Sequence, residues 1–362
     1  LQTDWYIDQM VRPAYDSPSL PITWNRIEYC AGTNEYVQVD PSMKEQVLEL
    51  YRLQPEEAKE RFGENPFELT NVLKHWVRST DKDLHVIPTD TLYMTIDKDA
   101  VRRSGMMIQD SIPARMVISL KGKGALYKGD LMMLEMIDQC NWTRPIYVAT
   151  TVGADNYMNL GDNFIQEGLA NRITPFTTKD TGLKDFDTEK TFENVTKRYK
   201  FGNVSQPGIY LDETVLRMCY THRRLMSQLA LRLADEGDSV KAAQVLALAE
   251  KEIPTYNVPV DFASGSLDMA RTYNAIGQQD KAKATVEQLW NKSSQYMQWY
   301  CSLSGPRFAN YQRECQMHMM FLSSIVDAMN TVDEGWVNSH YDEMRSLFGT
   351  YQSRGGQLPS YQ

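Results

Sequence analysis

Small and large apolar residues recur at a fixed offset of 40 positions in the last third of the chain. The matched pairs are Ala230 with Ala270, Leu233 with Tyr273, Gly237 with Gly277, Ala242 with Ala282, Leu246 with Val286 and Ala249 with Leu289. Their spacing is typical of tetratricopeptide repeats, in which two antiparallel helices cross closely at small residues and the period is about 34 residues. We therefore predict an all-α, tetratricopeptide-like helical-repeat domain over residues 212–362, with the extra length in a link through Pro254 and Pro259.

The pattern over residues 1–211 is different and predicts an α/β (or α+β) domain. Ser42, followed by Glu45, has the spacing of a capping box for a helix through Leu53, and further helices are expected to begin at Pro55 and at Asn65–Pro66. Alternating apolar positions predict strands at residues 91–97 and 114–120.

A predicted helix over residues 130–139 leads into the run Pro145–Thr150, and a further strand is expected within residues 169–176. The run is apolar on both faces, as in a covered central strand, and a helix that feeds such a strand is half of an α/β unit.

Composition and charge narrow the classes of function. A hydrophobic content of 42% indicates a globular protein, and the net charge of −9 without a basic stripe argues against binding to nucleic acid or to an anionic membrane surface. No apolar run reaches the roughly 20 residues that span a bilayer. The sequence starts at Leu1 and not at Met, which leads us to expect a piece of a longer protein. The five cysteines form no CxxC pair and are expected to be single buried thiols.

Motifs for metal or cofactor chemistry are weak. Two Asp-Lys-Asp triplets, at residues 81–83 and 97–99, have the spacing that can hold a divalent cation, but charged turns at the ends of elements explain them more simply. Lys121–Gly124 lacks the spacing of a phosphate-binding loop, and the five histidines show no metal-ligand spacing. We predict no metal site, no cofactor and no catalytic residue.

The most specific polar segment follows the predicted central strand, over residues 153–172. Loops at the carboxyl ends of such strands are where α/β folds place ligands, so this segment is a candidate binding site, with a capped helix after a long turn as the alternative. Its candidate residues are Asp155, Asn156, Tyr157, Asp162, Asn163 and Glu167. Trp5 and Trp142 are candidates for stacking on sugar rings, in a lectin-like or hydrolase site, although such residues more often lie in a core.

Several blocks in matching order resemble a bacterial family of multi-span membrane proteins of unknown function. That family is grouped with the protein O-mannosyltransferase-like (GT-C) glycosyltransferases. The blocks are Thr3–Met10, Leu20–Ile22, Lys128–Met132, Asn141–Tyr147, Gln166–Arg172 and Tyr210–Glu213.

The resemblance implies that this chain is the soluble C-terminal region on the extracytoplasmic (periplasmic) side of the inner membrane, tethered by an N-terminal membrane domain. The presumed catalytic carboxylates of that family lie in a loop between its first membrane helices, so none is transferred to this chain. The expected function is a non-catalytic accessory domain of a membrane glycosyltransferase-like protein, which positions an acceptor protein or a glycan.

The expected partners are a protein or peptide bound through the helical repeats, a glycan, and the membrane domain of the same protein. The alternative is a protein–protein interaction scaffold of an envelope complex that is unrelated to sugar transfer.

Overall fold

The computed structural model describes residues 9–10, 12–22, 36–79, 81–108, 111–178, 183–330 and 332–357. About 57% of the described residues are helical, and among them small sheets lie within residues 36–173 and a helical part covers residues 213–353. The chain divides into two compact units, 1–187 and 188–362. The domain limits expected from the sequence, 1–211 and 212–362, remain a prediction.

The first unit contains short helices between short strands. Its helices are α1 (Met43–Leu53), α2 (Pro55–Phe62), α3 (Leu69–Val72, continued by a π-helical turn Leu73–Val77), α4 (Lys98–Arg103) and α5 (Lys128–Cys140). Its strands are β1 (Tyr36–Val39), β2 (Val86–Ile87), β3 (Thr91–Thr95), β4 (Arg115–Ser119), β5 (Ala125–Tyr127), β6 (Tyr147–Ala149), β7 (Phe164–Gln166) and β8 (Ala170–Ile173).

These strands form three small sheets, in the orders β2-β1-β5, β3-β4 and β6-β8-β7. Among the described strands the β1–β2 ladder is parallel, and the other four ladders are antiparallel. This arrangement is α+β, and the α/β alternative, which requires a mainly parallel sheet, is not what the strands form.

The core of the first unit lies where the apolar positions of its strands and helices meet. Apolar residues in and just before α3 are buried, since Phe67, Val72, Leu73, Trp76 and Val77 all belong to this core. Alternate residues of β3, Leu92 and Met94, are buried as the strand period predicts.

Three local expectations are wrong, and each has a physical reason. The Pro145–Thr150 run is not a covered central strand, because β6 lies at the edge of its sheet and alternates exposed, buried, exposed. Ser42 makes no side-chain cap to α1, because its hydroxyl and its N–H both donate to Asp40. The helix expected from Asn65–Pro66 begins only at Leu69, since the Phe67 carbonyl accepts a hydrogen bond from the Tyr93 N–H and holds the chain extended.

The regular secondary structure described in the second unit is helical. Its helices are α6 (Thr188–Glu193, continued by a π-helical turn Asn194–Arg198), α7 (Glu213–Asp235), α8 (Ser239–Glu252), α9 (Ser266–Ala275), α10 (Gln279–Ser302), α11 (Gly305–Asn310), α12 (Gln312–Met329) and α13 (Glu334–Ser353).

Two helical hairpins carry the 40-residue offset. Helices α7 and α8 pack together, α9 and α10 pack together, and α9 also packs on α7. The turns contain Gly237 and Gly277, with φ of 86° and 81°, a left-handed conformation that glycine adopts without steric cost. The matched apolar residues are buried, Ala230 and Ala270 among them. That these hairpins are tetratricopeptide repeats remains a prediction.

Among the described residues, no helix combines the length and the apolar composition that crossing a bilayer requires.

Candidate functional site

A cleft of about 560 Å³ opens in the first unit beside strand β6. Four elements contribute to its walls: the segment into β5, the first turns of α5, strand β6, and the 3₁₀ turn Ala154–Asn156. Its polar and aromatic lining residues are Lys123, Tyr127, Asp130, Tyr147, Asp155 and Asn156. Met133 and Val152 supply apolar surface and also pack on the core. The cleft therefore combines aromatic rings, carboxylates and one ammonium group around a partly apolar floor.

Exposed tyrosines mark this cleft. Tyr127 and Tyr147 line it with exposed fractions of 51% and 43%, and the ring of Tyr36 packs against Tyr127 with 5.9 Å between centroids. Tyr36 and Tyr127 lie directly opposite each other in the β1–β5 ladder. Because side chains alternate across a strand, the buried Val37 and Leu126 face the core and place both tyrosines on the solvent side. Large rings on a solvent-facing strand surface are candidates for ligand contact.

A buried network holds Tyr147 in position. Its hydroxyl donates a 2.6 Å hydrogen bond to Glu167, which lies 3.3 Å from the Arg172 guanidinium. Arg172 stands opposite Tyr147 in the β6–β8 ladder and also donates to the Ser104 carbonyl at 2.8 Å. The side chains of Glu167 and Arg172 are almost fully buried, so each charge needs the other to offset its lost hydration. Burial, and then the hydrogen bond to Glu167, raises the pKa of Tyr147 to about 12.

The structure brings two of the predicted site residues to the cleft. Asp155 and Asn156 line it from the 3₁₀ turn and are exposed. Glu167 reaches it indirectly, through Tyr147.

The remaining predicted residues hold the surrounding backbone or lie in the core. The Tyr157 hydroxyl donates to the Val152 carbonyl at 2.9 Å, and the Asn163 amide donates to the Phe176 carbonyl at 3.1 Å. The carbonyl of Asp162 accepts the N–H of Thr178 at 2.8 Å.

Of the two candidate tryptophans, Trp5 and Trp142, the described residues include Trp142. Trp142 is buried, with 7% of its surface exposed, and belongs to the core of the first unit. Trp5 lies outside the described residues.

Four lining residues were not expected from the sequence: Lys123, Tyr127, Asp130 and Tyr147. One signal was available for the tyrosines: they occupy the outward positions of strands whose inward positions are apolar. Lys123 and Asp130 had no such signal, because each lies next to a turn or a helix start, where charged residues are ordinary. Asp130 also caps α5, accepting the Tyr127 N–H at 3.0 Å.

The described residues contain no group of three or more His, Cys, Asp or Glu side chains arranged to hold a metal ion. The Asp-Lys-Asp triplets have local structural roles. Asp97 caps α4 by accepting the N–H groups of Asp99 and Ala100 at 3.0 and 2.9 Å, and Asp81 accepts the N–H of Asp83 at 3.0 Å.

Comparison with known proteins gives one match. No curated protein and no solved structure is significantly similar to the chain. The family model described as TMEM260-associated domain 2 matches residues 1–191, a range that contains the cleft and covers more than half of the chain. The chain therefore belongs to the family of TMEM260-associated domain 2.

Proposed function

We propose that this chain is a non-catalytic accessory region of a membrane glycosyltransferase-like protein, and that the cleft beside β6 holds an acceptor polypeptide or its glycan. The location that we propose is the extracytoplasmic side of the membrane. The proposal is supported by the resemblance of the sequence blocks to a glycosyltransferase-like family. The structural observation that carries it is the cleft itself, with its exposed tyrosines and carboxylates. The cleft lies within residues 1–191, the range that matches TMEM260-associated domain 2.

The chemistry of the lining favours holding over reacting. Tyr147 is committed as a donor to Glu167, and with a pKa of about 12 it is a poor general base near neutral pH. Glu167 and Arg172 neutralise each other and are buried behind it. Exposed Tyr127 and Tyr147 instead offer flat rings with polar edges, which suit contact with peptide side chains or with the C–H faces of sugars.

Binding of an unfolded chain tests the proposal. The probe is fluorescein-labelled lysozyme, reduced and carboxamidomethylated so that it stays unfolded, and its anisotropy is followed as the protein is added. We expect saturable binding that Tyr127→Ala and Asp155→Asn each weaken at least threefold. The matched control is Tyr15→Ala, which removes an exposed tyrosine that does not line the cleft. Equal binding by all variants, or no binding by the native protein, refutes the proposal.

A second candidate, an interaction scaffold of an envelope complex, is favoured by a separate surface in the second unit. Helix α10 exposes Tyr296 and Trp299, at 39% and 50%, beside a hollow of about 370 Å³, and α12 exposes Met317 and Met320. Exposed aromatic and Met side chains are typical of protein interfaces. Tetratricopeptide-like packing of the hairpins, which we also propose, adds a peptide-binding groove. Deletion of the parent protein separates the candidates: the first predicts altered glycosylation of exported proteins, the second only an altered complex.

A further inference from the structure

The open edge of β6 borders the cleft. Among the described strands β6 pairs with β8 alone, on one side. The Ile173 N–H donates to the Ile146 carbonyl at 3.0 Å, and the Thr150 N–H donates to the Leu169 carbonyl at 3.1 Å. Directly hydrogen-bonded residues alternate in an antiparallel ladder, so Tyr147 and Ala149 direct their backbone N–H and C=O groups away from β8.

Three of these four edge groups have no partner among the described residues. The Ala149 carbonyl accepts the N–H of Val152 at 3.0 Å. The N–H and C=O of Tyr147 and the N–H of Ala149 remain, and both residues line the cleft. A donor, an acceptor and a second donor, spaced along an extended strand, match the backbone of another extended chain.

We propose that the cleft receives an extended polypeptide, which adds to β6 as a further strand. This inference rests on the proposed function and specifies its ligand, because a glycan has no backbone of alternating N–H and C=O groups to satisfy the edge. The added strand pairs with Tyr147 and Ala149 while its side chains contact the ring of Tyr127 on one wall and Met133 on the floor.

The length of the edge and its charge define what binds. The strand spans three residues and follows Pro145, which has no N–H to continue the pairing, so an incoming strand makes only two or three backbone hydrogen bonds. Such a short edge also limits pairing between copies of this chain. Asp130 and Asp155 give the cleft two carboxylates against the single ammonium of Lys123, so a basic peptide is favoured over an acidic one.

The test removes one edge donor without touching the ladder to β8. Ala149→Pro deletes an N–H that faces the open edge, a position where proline is tolerated in strands. Ala149→Val is the matched control, because it enlarges the side chain and keeps the N–H. The probe is a labelled ten-residue peptide of alternating valine and threonine with a lysine at each end.

We expect native protein and Ala149→Val to bind the peptide, and Ala149→Pro to bind it at least tenfold more weakly with an unchanged unfolding midpoint. Excess peptide should also slow hydrogen exchange of the Tyr147 and Ala149 amides in the native protein. Should Ala149→Pro fail to fold, the same peptide N-methylated at every amide replaces it, and the inference requires that this peptide does not bind.

Each contrary outcome has a distinct meaning. If Ala149→Pro, or the N-methylated peptide, binds normally while Tyr127→Ala still weakens binding, strand addition is wrong and the proposed function stands. If neither the peptide nor unfolded lysozyme binds the native protein, both proposals fail. If the native protein forms a dimer that Ala149→Pro abolishes, the occupant of the edge is a second copy of this chain, and the inference of a separate polypeptide is wrong.

Discussion

Arg223 is the residue whose removal most directly tests how the second unit is held together. Its guanidinium is buried, with 1% of the residue exposed, and it faces three backbone carbonyls. It donates to Ile253 and Val258 at 2.6 Å and to Pro259 at 2.9 Å. All three acceptors belong to the link between α8 and α9, whose length sets the offset of 40 residues between the two hairpins. Arg223 therefore fastens this link to α7.

The magnitude follows from two opposing contributions. Burial lowers the pKa of Arg223 to about 10, which corresponds to a cost of about 3 kcal/mol for keeping the charge at this site. Each hydrogen bond from a charged donor contributes about 1.5–3 kcal/mol, so three such bonds outweigh that cost. Arg223→Met removes the charge and the donors and leaves three carbonyls without them. We expect a loss of about 3 kcal/mol in the free energy of unfolding.

For a unit of this size, that loss corresponds to a fall of roughly 6–12 °C in the unfolding midpoint. Circular dichroism at 222 nm follows the transition, since the second unit is helical. The matched control is Arg224→Met, the same change at the next residue, whose side chain is exposed. Arg223→Lys should fall between the two, because one ammonium cannot span three carbonyls as a planar fork does. If Arg223→Met lies within about 1 kcal/mol of the control, the guanidinium does not fasten the link and the reasoning is wrong.

Three further predictions concern glycine, histidine and cysteine. Gly265 has φ of 71°, and a Cβ there would lie 3.0 Å from backbone, whereas Gly277, with φ of 81°, has open space around it. Gly265→Ala should therefore lower the free energy of unfolding by at least about 1 kcal/mol more than Gly277→Ala, as measured by urea titration. Burial lowers the pKa of His318, so the folded protein binds fewer protons than the unfolded one. Its stability should therefore fall as pH drops from 7 through 6.5 towards 5, and His318→Phe should flatten this dependence in urea midpoints measured across that range. Burial raises the pKa of the thiols of Cys140, Cys219, Cys301 and Cys315. In the Cys30→Ser variant, a disulfide reagent such as DTNB should therefore label these four thiols only after unfolding. Rapid labelling of the native variant would contradict this.

Local signals predicted much of the fold. Helix α2 begins at Pro55 as expected, because proline at the first helical position fixes φ and the donor that it lacks is not needed there. The hairpins of the second unit follow from small residues and turn glycines at matched positions. Their link was also expected to be long, and it is anchored by Asn257, whose amide donates to the Val204 and Gln206 carbonyls at 2.7 Å. The helix start at Pro55 and the glycine turns are each encoded within a few consecutive residues, whereas the anchoring of the link depends on residues far away in sequence.

The failures arise where a residue outside the local motif decides the outcome. The Ser42 capping box was lost because Asp40, outside the motif, takes the serine hydroxyl and N–H. The helix expected at Asn65 begins late because Phe67 pairs with Tyr93, which is far away in sequence. The spacing of hydrophobic residues indicates which face of a helix or strand is buried. It does not indicate which other segment of the chain packs against that face.

The misread strand and the missed cleft have one cause. The run Pro-Ile-Tyr-Val-Ala-Thr is apolar on both faces, and a run of this kind is equally consistent with neighbours on two sides or on one. The structure places β8 on one side of β6 and the cleft on the other, and the cost of exposing Tyr147 is offset because its hydroxyl is paired with Glu167. The same pairing joins two stretches of the sequence, residues 141–147 and 166–172: Tyr147 belongs to the first, and Glu167 and Arg172 belong to the second. A buried ion pair contributes little to stability by itself, and here it fixes the ring that forms one wall of the cleft. These two stretches therefore together form the side of the cleft at β6.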